Sequence, residues 1–306
     1  MVRTAAIAFT LILSATLAAA EQPSAIESDA ATAYSQQDWT KAEPLYAQLA
    51  QSSTGNARFW YRYATAARAN GHYDIALQAF EQAKTKGQGK GLPPFLVDYE
   101  IAATYAAKGD DSKALASLES SIKAGYSQPD KLESDAAWKS LRTDARFAPL
   151  LLQAKKNATP CEYTAENRQF DFWLGDWDVV STQGAQPAGT SHIAREMSGC
   201  VIWENWTGNG GGFGKSYNVY NANYKRWEQY WADNSGGVIF FHGNLKDGVM
   251  DYWTDDIPQP DGTKLRRHLQ FFNESPDKVR QFSQGSTDEG KTWHVEYDLT
   301  YNRRKS

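Results

Sequence analysis

The chain has 306 residues, a net charge of −4 and eleven Trp. That length suits two domains, each able to bury its own core. The acidic balance, with no cluster of Lys and Arg, excludes nucleic acid as a bulk partner, because phosphate binding needs grouped cations to displace counterions.

In chain order, residues 1–20 read as a secretory signal peptide. Arg3 gives a short basic start, Ala5 to Leu17 is apolar apart from Thr10, Ser14 and Thr16, and Ala18-Ala19-Ala20 offers small residues before Glu21. The apolar stretch is too short to prefer spanning a bilayer, and no other run reaches membrane length. Cleavage after Ala20 and a periplasmic or secreted destination are expected; an uncleaved N-terminal anchor is the alternative. There, Cys161 and Cys200 can pair, closing a loop of about 40 residues. The alternative, a reactive thiol or metal ligand, lacks a C-x-x-C and a close His, so no metal or cofactor is expected.

Residues 21–156 are Ala-rich and expected to be helical. Asp38–Ala42 aligns with Gly71–Ala76 and with Gly109–Ala114. Ala42 and Ala76 lie 34 residues apart, Ala76 and Ala114 lie 38, and the extra four fit a loop at Gly87–Pro94. Tyr46, Phe80 and Leu118 follow each aligned Ala by four residues; Leu49, Ala83 and Ser121 come three later. Trp60, Tyr63, Ile101 and Tyr105 occupy packing positions of first helices, with Ala64 and Ala102 where two helices approach closely. Gly71 and Gly109 stand at helix ends, where φ > 0 is wanted. Across residues 24–124 this pattern resembles the tetratricopeptide family. Repeat one departs from it, with Gln37 in place of Gly at the turn and Pro44 inside the second helix. Residues 128–156, carrying Leu132, Ala136, Trp138, Leu141, Phe147, Leu150 and Leu151, read as a cap over the open end of the stack. The string from Leu132 to Phe147 is similar to the terminal segment after many bacterial repeats. The resemblance implies a protein or peptide partner in a groove lined by Arg58, Tyr61, Thr65, Arg68 and Tyr99. The alternative is that these are solvated surface residues.

Residues 157–162, with Pro160, are expected to be a linker. From 163 to 306, strand-like runs recur between Gly, Asn, Asp and Pro. They are Asp176–Ser181, Gly189–Met197, Val201–Trp206, Gly214–Tyr220, Trp227–Asp233, Val238–His242, Val249–Thr254, Lys264–Phe272, Lys278–Gln284 and Thr292–Tyr301. Ten short antiparallel strands favour a closed barrel, which leaves no exposed edge; a two-sheet sandwich is the alternative. The fold class is therefore α + β multidomain, a helical solenoid followed by an antiparallel β-barrel. The segment Phe170-Asp171-Phe172-Trp173-Leu174-Gly175-Asp176-Trp177 resembles the opening of lipocalin-like (calycin) barrels, where Gly-x-Trp starts the first strand. With Gly199–Trp206, Trp227–Gly237 and Gly290–Trp293, the wider pattern resembles a bacterial barrel family with no assigned function. This likeness implies a fold and no reaction.

Alternation places Ile202, Glu204 and Trp206 on one face, likewise Ser216, Asn218 and Tyr220, and likewise Trp227, Gln229, Trp231 and Asp233. If those faces are interior, Glu204, Ser216, Asn218, Gln229, Trp231 and Asp233 form a candidate small-ligand site; a packed core with a satisfied polar network is the alternative. Glu204 and Asp233 are the only catalytic candidates, as an acid–base pair. Calycin-like nitrobindins hold haem through a His. Here His192, His242, His268 and His294 show no ligand spacing, and His294 alternates onto the face opposite Val295, Tyr297 and Leu299. Ser286–Trp293 fits the Asp-box, a turn device. No phosphate-binding loop, zinc-protease helix or nucleophile elbow is present, and Gly208–Gly214 reads as a loop at the barrel mouth. The chain thus reads as an exported binding or scaffold protein, with repeats for a protein or peptide and a barrel for a small ligand or a structural role. An enzyme with a carboxylate site in the barrel mouth is the alternative.

Overall fold

The computed structural model describes residues 25–52, 55–88 and 91–305. The expected signal segment, residues 1–20, lies outside them. The chain divides into two compact units, one running to Tyr126 and including Asp130–Leu150, the other made of Ser127–Pro129 and everything from Leu151. Among the described residues no helix is long and apolar enough to cross a membrane.

The first unit contains three helix hairpins: α1 (Ala25–Ser35) with α2 (Trp39–Gln51), α3 (Ala57–Ala69) with α4 (Tyr73–Gly87), and α5 (Pro94–Lys108) with α6 (Asp111–Lys123). Ala42, Ala76 and Ala114 are fully buried in the three second helices, and Ala64 and Ala102 in two of the first helices. Small side chains there let paired helices approach closely. Tyr46, Phe80 and Leu118 are buried one turn on. Ser121 sits where the earlier repeats have Leu49 and Ala83; its buried hydroxyl donates to the Phe95 carbonyl at 2.6 Å, so the polar substitution is satisfied. The four extra residues do not simply loop out between Gly87 and Pro94, as the spacing suggests: α4 and α5 have 15 residues each against 13 each in α2 and α3, so most of the excess extends the helices.

Gly71 and Gly109 have φ of 81° and 86°, and Gln37 has 56° in the equivalent turn. Repeat one therefore keeps the left-handed turn without the residue that adopts it at least cost. Helix α2 runs unbroken through Pro44. Asp38 and Asp110 cap α2 and α6 by accepting from the backbone N–H of Lys41 and Lys113.

The last hairpin is followed by α7 (Pro129–Ser134), two single 3-10 turns (Ala136–Trp138 and Leu141–Thr143) and α8 (Phe147–Ala158). Leu132, Trp138, Leu141 and Phe147 are buried, whereas Ala136 is exposed.

Residues 157–162 are more ordered than a plain linker: they hold the end of α8 and most of α9 (Pro160–Tyr163). Cys161 is bonded to Cys200, 39 residues on. Two further 3-10 turns, Glu166–Arg168 and Asp171–Trp173, lead into the barrel. Its strands are β1 (Gly175–Ser181), β2 (Pro187–Glu196), β3 (Val201–Gly208), β4 (Phe213–Asn221), β5 (Arg226–Asp233), β6 (Val238–Lys246), β7 (Val249–Trp253), β8 (Ile257–Pro258), β9 (Lys264–Ser275), β10 (Lys278–Ser286) and β11 (His294–Arg303). Ten of these pair antiparallel in the circular order β1-β2-β3-β4-β5-β6-β7-β9-β10-β11, and β11 returns to β1. The return excludes a sandwich with open edges. Strand β8 is a two-residue ribbon on the start of β9.

Aromatic packing fills one end of the barrel. Phe170, Trp173 and Trp177 are fully buried, and Phe170 lies 5.0 Å from both the Trp173 and Phe271 rings. Gly175 has φ of 126°, and a Cβ there would sit 2.2 Å from Arg303 Nη1. Glycine is therefore required at this point of the opening motif. It lets the Arg303 guanidinium lie over the Trp177 ring at 4.3 Å and donate to the Leu174 carbonyl. The segment ahead of β1 is held by Arg168 donating to the Gly199 carbonyl and by Asp171 pairing with Arg195.

Candidate functional site

The inward faces of β2 to β5 carry a row of polar side chains. Glu204 on β3 lies opposite Ser216 on β4, which lies opposite Trp231 on β5; Ile202 lies opposite Asn218, which lies opposite Gln229. Glu204 is 3% exposed. Its two oxygens accept from the Ser191 hydroxyl at 3.0 Å and the Ser216 hydroxyl at 2.8 Å. Asn218 donates to the Ile202 carbonyl and to Ser216, and accepts from the Gln229 amide at 2.8 Å.

Next to this row lies a partly enclosed cavity of about 290 Å³. Trp206, Trp231, Ile239 and Phe241 form one part of its wall. Strands β10 and β11 add Gln281, Tyr297, Leu299 and Tyr301, and Glu204 and Gln229 supply polar groups. Tyr301 is buried and donates to Gln281 Oε1 at 2.7 Å. Two glycines shape the wall. A Cβ on Gly214 would fall 2.4 Å from the Trp231 ring, and one on Gly189 would fall 2.9 Å from the Trp206 ring. Each Trp thus packs against a position that has no room for a Cβ.

Burial pushes the Glu204 carboxyl up to about 7, against the opposing effect of its hydroxyl donors Ser216, Ser191 and Tyr301. It has no Lys, Arg or His partner among the described residues.

Of the six residues expected at this site, Glu204, Gln229 and Trp231 line the cavity, and Ser216 and Asn218 stand behind it, bonded to Glu204 and Gln229. Asp233 does not join them. It sits at the end of β5 and accepts from the N–H groups of Ser235 and Gly237 and from the Ser235 hydroxyl, all in its own turn. Those donors hold it below the usual carboxylate range. The acid–base pair of Glu204 and Asp233 is thus replaced by a single interior carboxylate and a turn-capping one.

Alternation along β3 to β5 does not reach Gln281, Tyr297, Leu299 and Tyr301, which complete the wall. Val279 pairs with Tyr301, Gln281 with Leu299 and Ser283 with Tyr297, but Gln284 pairs with Val295, so Glu296 is bulged out of register. The bulge resets the alternation. Val295 faces solvent at 60% exposure, and Glu296 accepts from Ser283 and Arg267. The expectation that Val295, Tyr297 and Leu299 share one face fails at this point.

None of the barrel histidines lines the cavity. His192 meets Asp176, His242 meets Asp255, and His268 stacks on Trp253 between Asp251 and Gln284. His294 is exposed. The Asp-box forms the turn its pattern implies. Asp288 accepts from Ser286 and from the N–H and hydroxyl of Thr292, and Trp293 donates to the Gly290 carbonyl.

In the helical unit, Arg58, Tyr61, Thr65 and Arg68 share α3 and are exposed or half-buried. Arg58 and Tyr61 line a concavity with Tyr34, Arg62 and Lys86; Arg68 lines another with Tyr73 and Ala103. Arg68 is paired with the buried Glu100 at 2.7 Å, and the Tyr61 hydroxyl donates to the same carboxylate. Tyr99 departs from the expected groove. It is 1% exposed, stacked on Tyr126 at 4.5 Å, donating to Asp135 and accepting from Trp138 Nε1. The segment expected as a cap covers it, and that is why it has no solvent face.

No protein-family model matches the chain, and no curated protein matches it. Solved structures similar to it include SycD, the type III secretion translocator chaperone of Yersinia enterocolitica, at 18% identity over 42% of this chain and 89% of that chain, with a TM-score of 0.30. PcrH from Pseudomonas aeruginosa is similar at 18% identity over 42% and 90%, with a TM-score of 0.29. The S-type phycobiliprotein lyase CPES from Guillardia theta is similar at 15% identity over 47% and 99%, with a TM-score of 0.20. None of these is similar enough to transfer a function.

Proposed function

We propose that this chain is an exported binding protein whose barrel holds a small ligand and whose helical repeats hold a protein or peptide. The cavity carries the first part of this reading. Its aromatic and aliphatic walls, with Glu204 and Gln229 as fixed polar groups, have the chemistry of a small-ligand pocket, and about 290 Å³ is at the low end of the sizes such pockets take. The ligand is therefore small.

The repeat architecture supports the second part, with α3 offering Arg58, Tyr61, Thr65 and Arg68. Export is supported by the signal-like residues 1–20 and by the bonded Cys161–Cys200 pair, since such bonds persist in oxidising compartments. An enzyme built on Glu204 is the second reading, favoured by a carboxyl that titrates near neutrality inside a cavity. Binding is preferred because Asp233, the intended partner, is committed to its own turn.

Native mass spectrometry of protein purified from its own host tests both arms. A retained small molecule lost on Trp231→Ala, or a retained polypeptide lost on Arg58→Ala with Tyr61→Ala, is the expected outcome. Protein that carries neither, with the variants indistinguishable from wild type, counts against the reading.

A further inference from the structure

The cavity sets an unusual electrostatic problem. Glu204 is almost wholly removed from water, and its neighbours give it only hydroxyl groups. Hydroxyl groups alone, from Ser191, Ser216 and Tyr301, compensate a buried carboxylate incompletely, because an unpaired charge in a low-dielectric interior costs several kcal/mol. The same cavity is walled by Trp206, Trp231, Tyr297 and Tyr301, whose ring faces carry negative electrostatic potential. Gln229 gives one amide N–H to Asn218, and its carbonyl oxygen is an acceptor. Carboxylate, amide oxygen and ring faces all favour positive charge.

We propose that the barrel ligand is a small organic ammonium ion, a protonated amine on an apolar body of about one ring. The inference rests on reading the cavity as a ligand site and adds the chemical class of the ligand. The ammonium N–H groups donate to Glu204 and Gln229, and the apolar body lies against the Trp206 and Trp231 rings. The ligand supplies the positive charge that Glu204 does not receive from a Lys, Arg or His among the described residues.

The surrounding groups agree with this. Ser191 on β2 and Ser216 on β4 face Glu204, as do the Tyr297 and Tyr301 phenols on β11. Arg267 on β9 acts on Tyr297, but Glu296 already holds it at 2.8 Å. No unpaired cation therefore competes for the carboxylate among these groups. Since the Glu204 carboxyl is pushed up to about 7, it is partly protonated at neutral pH in the protein alone, and the ammonium must displace that proton.

The test is calorimetry and Trp fluorescence on the full mature chain with two probes of one shape, 2-phenylethylamine and neutral 2-phenylethanol. At pH 8 the amine is expected to bind about tenfold more tightly than the alcohol. Its affinity is expected to fall about tenfold between pH 8 and pH 6, as Glu204 takes up a proton, while the alcohol changes little. Glu204→Gln is expected to abolish the amine's advantage and leave the alcohol's affinity in place. If that variant does not fold, the wild-type comparison of the two probes decides alone. Alcohol binding as tight as amine binding overturns the ammonium assignment and leaves the ligand site standing. No heat and no change in Trp emission with either probe overturns both.

Discussion

Glu204 shows how one residue concentrates the chemistry of a domain. Its carboxyl is raised from 4.5 to about 7, so the folded state holds a proton that the unfolded chain releases earlier. The sign follows from linkage: the folded state gains from this group below the unfolded value and loses that gain as pH rises through about 7. At about 1.4 kcal/mol for each pH unit, the full difference is on the order of 3 kcal/mol. Glu204→Gln keeps a hydrogen-bonding side chain of the same shape and removes the charge. The variant should be more stable than wild type at pH 8, by up to about 3 kcal/mol, and the gap should close by pH 4.5. Urea unfolding across that range checks it; a variant less stable than wild type at pH 8 would show that the carboxylate is well solvated or well paired. Alternation along β3 to β5 already points Glu204, Ser216, Asn218, Gln229 and Trp231 the way the barrel does. It misplaces Asp233 because the last residue of a strand answers to its turn, where the Ser235 and Gly237 N–H groups are nearer than any interior partner. On β11 it misplaces only Val295, because a bulge at Glu296 resets the phase there; Tyr297 and Tyr301 stay in phase, but a pocket read from β3 to β5 does not reach them.

Elements were easier to read than side chains. Each of the ten expected strands overlaps one barrel strand, and the three aligned Ala registers fall in α2, α4 and α6. Both signals are local: a period of two between turn residues, and a repeat whose spacing and residue sizes agree. The burial of Tyr99 is not legible locally, because it depends on Trp138 and Asp135, nearly forty residues away. Where repeat one departs from its siblings, the backbone follows the repeat and the residue bears the strain. Gln37 takes a φ of 56° in the α1–α2 turn, while Gly71 and Gly109 do so freely. Gln37→Gly should therefore stabilise the helical unit by about 1 kcal/mol, the cost of a left-handed non-glycine residue less the added freedom of the unfolded chain. A rise in the urea midpoint of the far-UV circular dichroism signal is the expected result. No rise, or a fall, would mean that the Gln37 side chain contributes more than its backbone costs.

At the scale of the molecule, two units with separate cores share one chain, and their cross-link belongs to only one of them. Cys161 precedes the barrel and Cys200 lies in the turn before β3, so the bond closes a loop of 39 residues inside the second unit. It fastens the segment that carries Phe170 and Trp173, which plug one end of the barrel. In the chain-entropy account, opening a loop of that length costs the folded barrel about 4 kcal/mol. The helical unit has no cysteine of its own and should not respond. Eight of the eleven Trp lie between residues 173 and 293, so Trp emission reports mainly on the barrel, and the circular dichroism signal at helical wavelengths reports mainly on the repeats. Urea titrations with and without a phosphine reductant should shift the first signal to lower denaturant and leave the second where it was. The Cys161→Ser, Cys200→Ser double variant should reproduce the shift without reductant. Equal movement of both signals would mean that the repeats depend on the barrel for their stability, and the picture of two independently built units would fall with it.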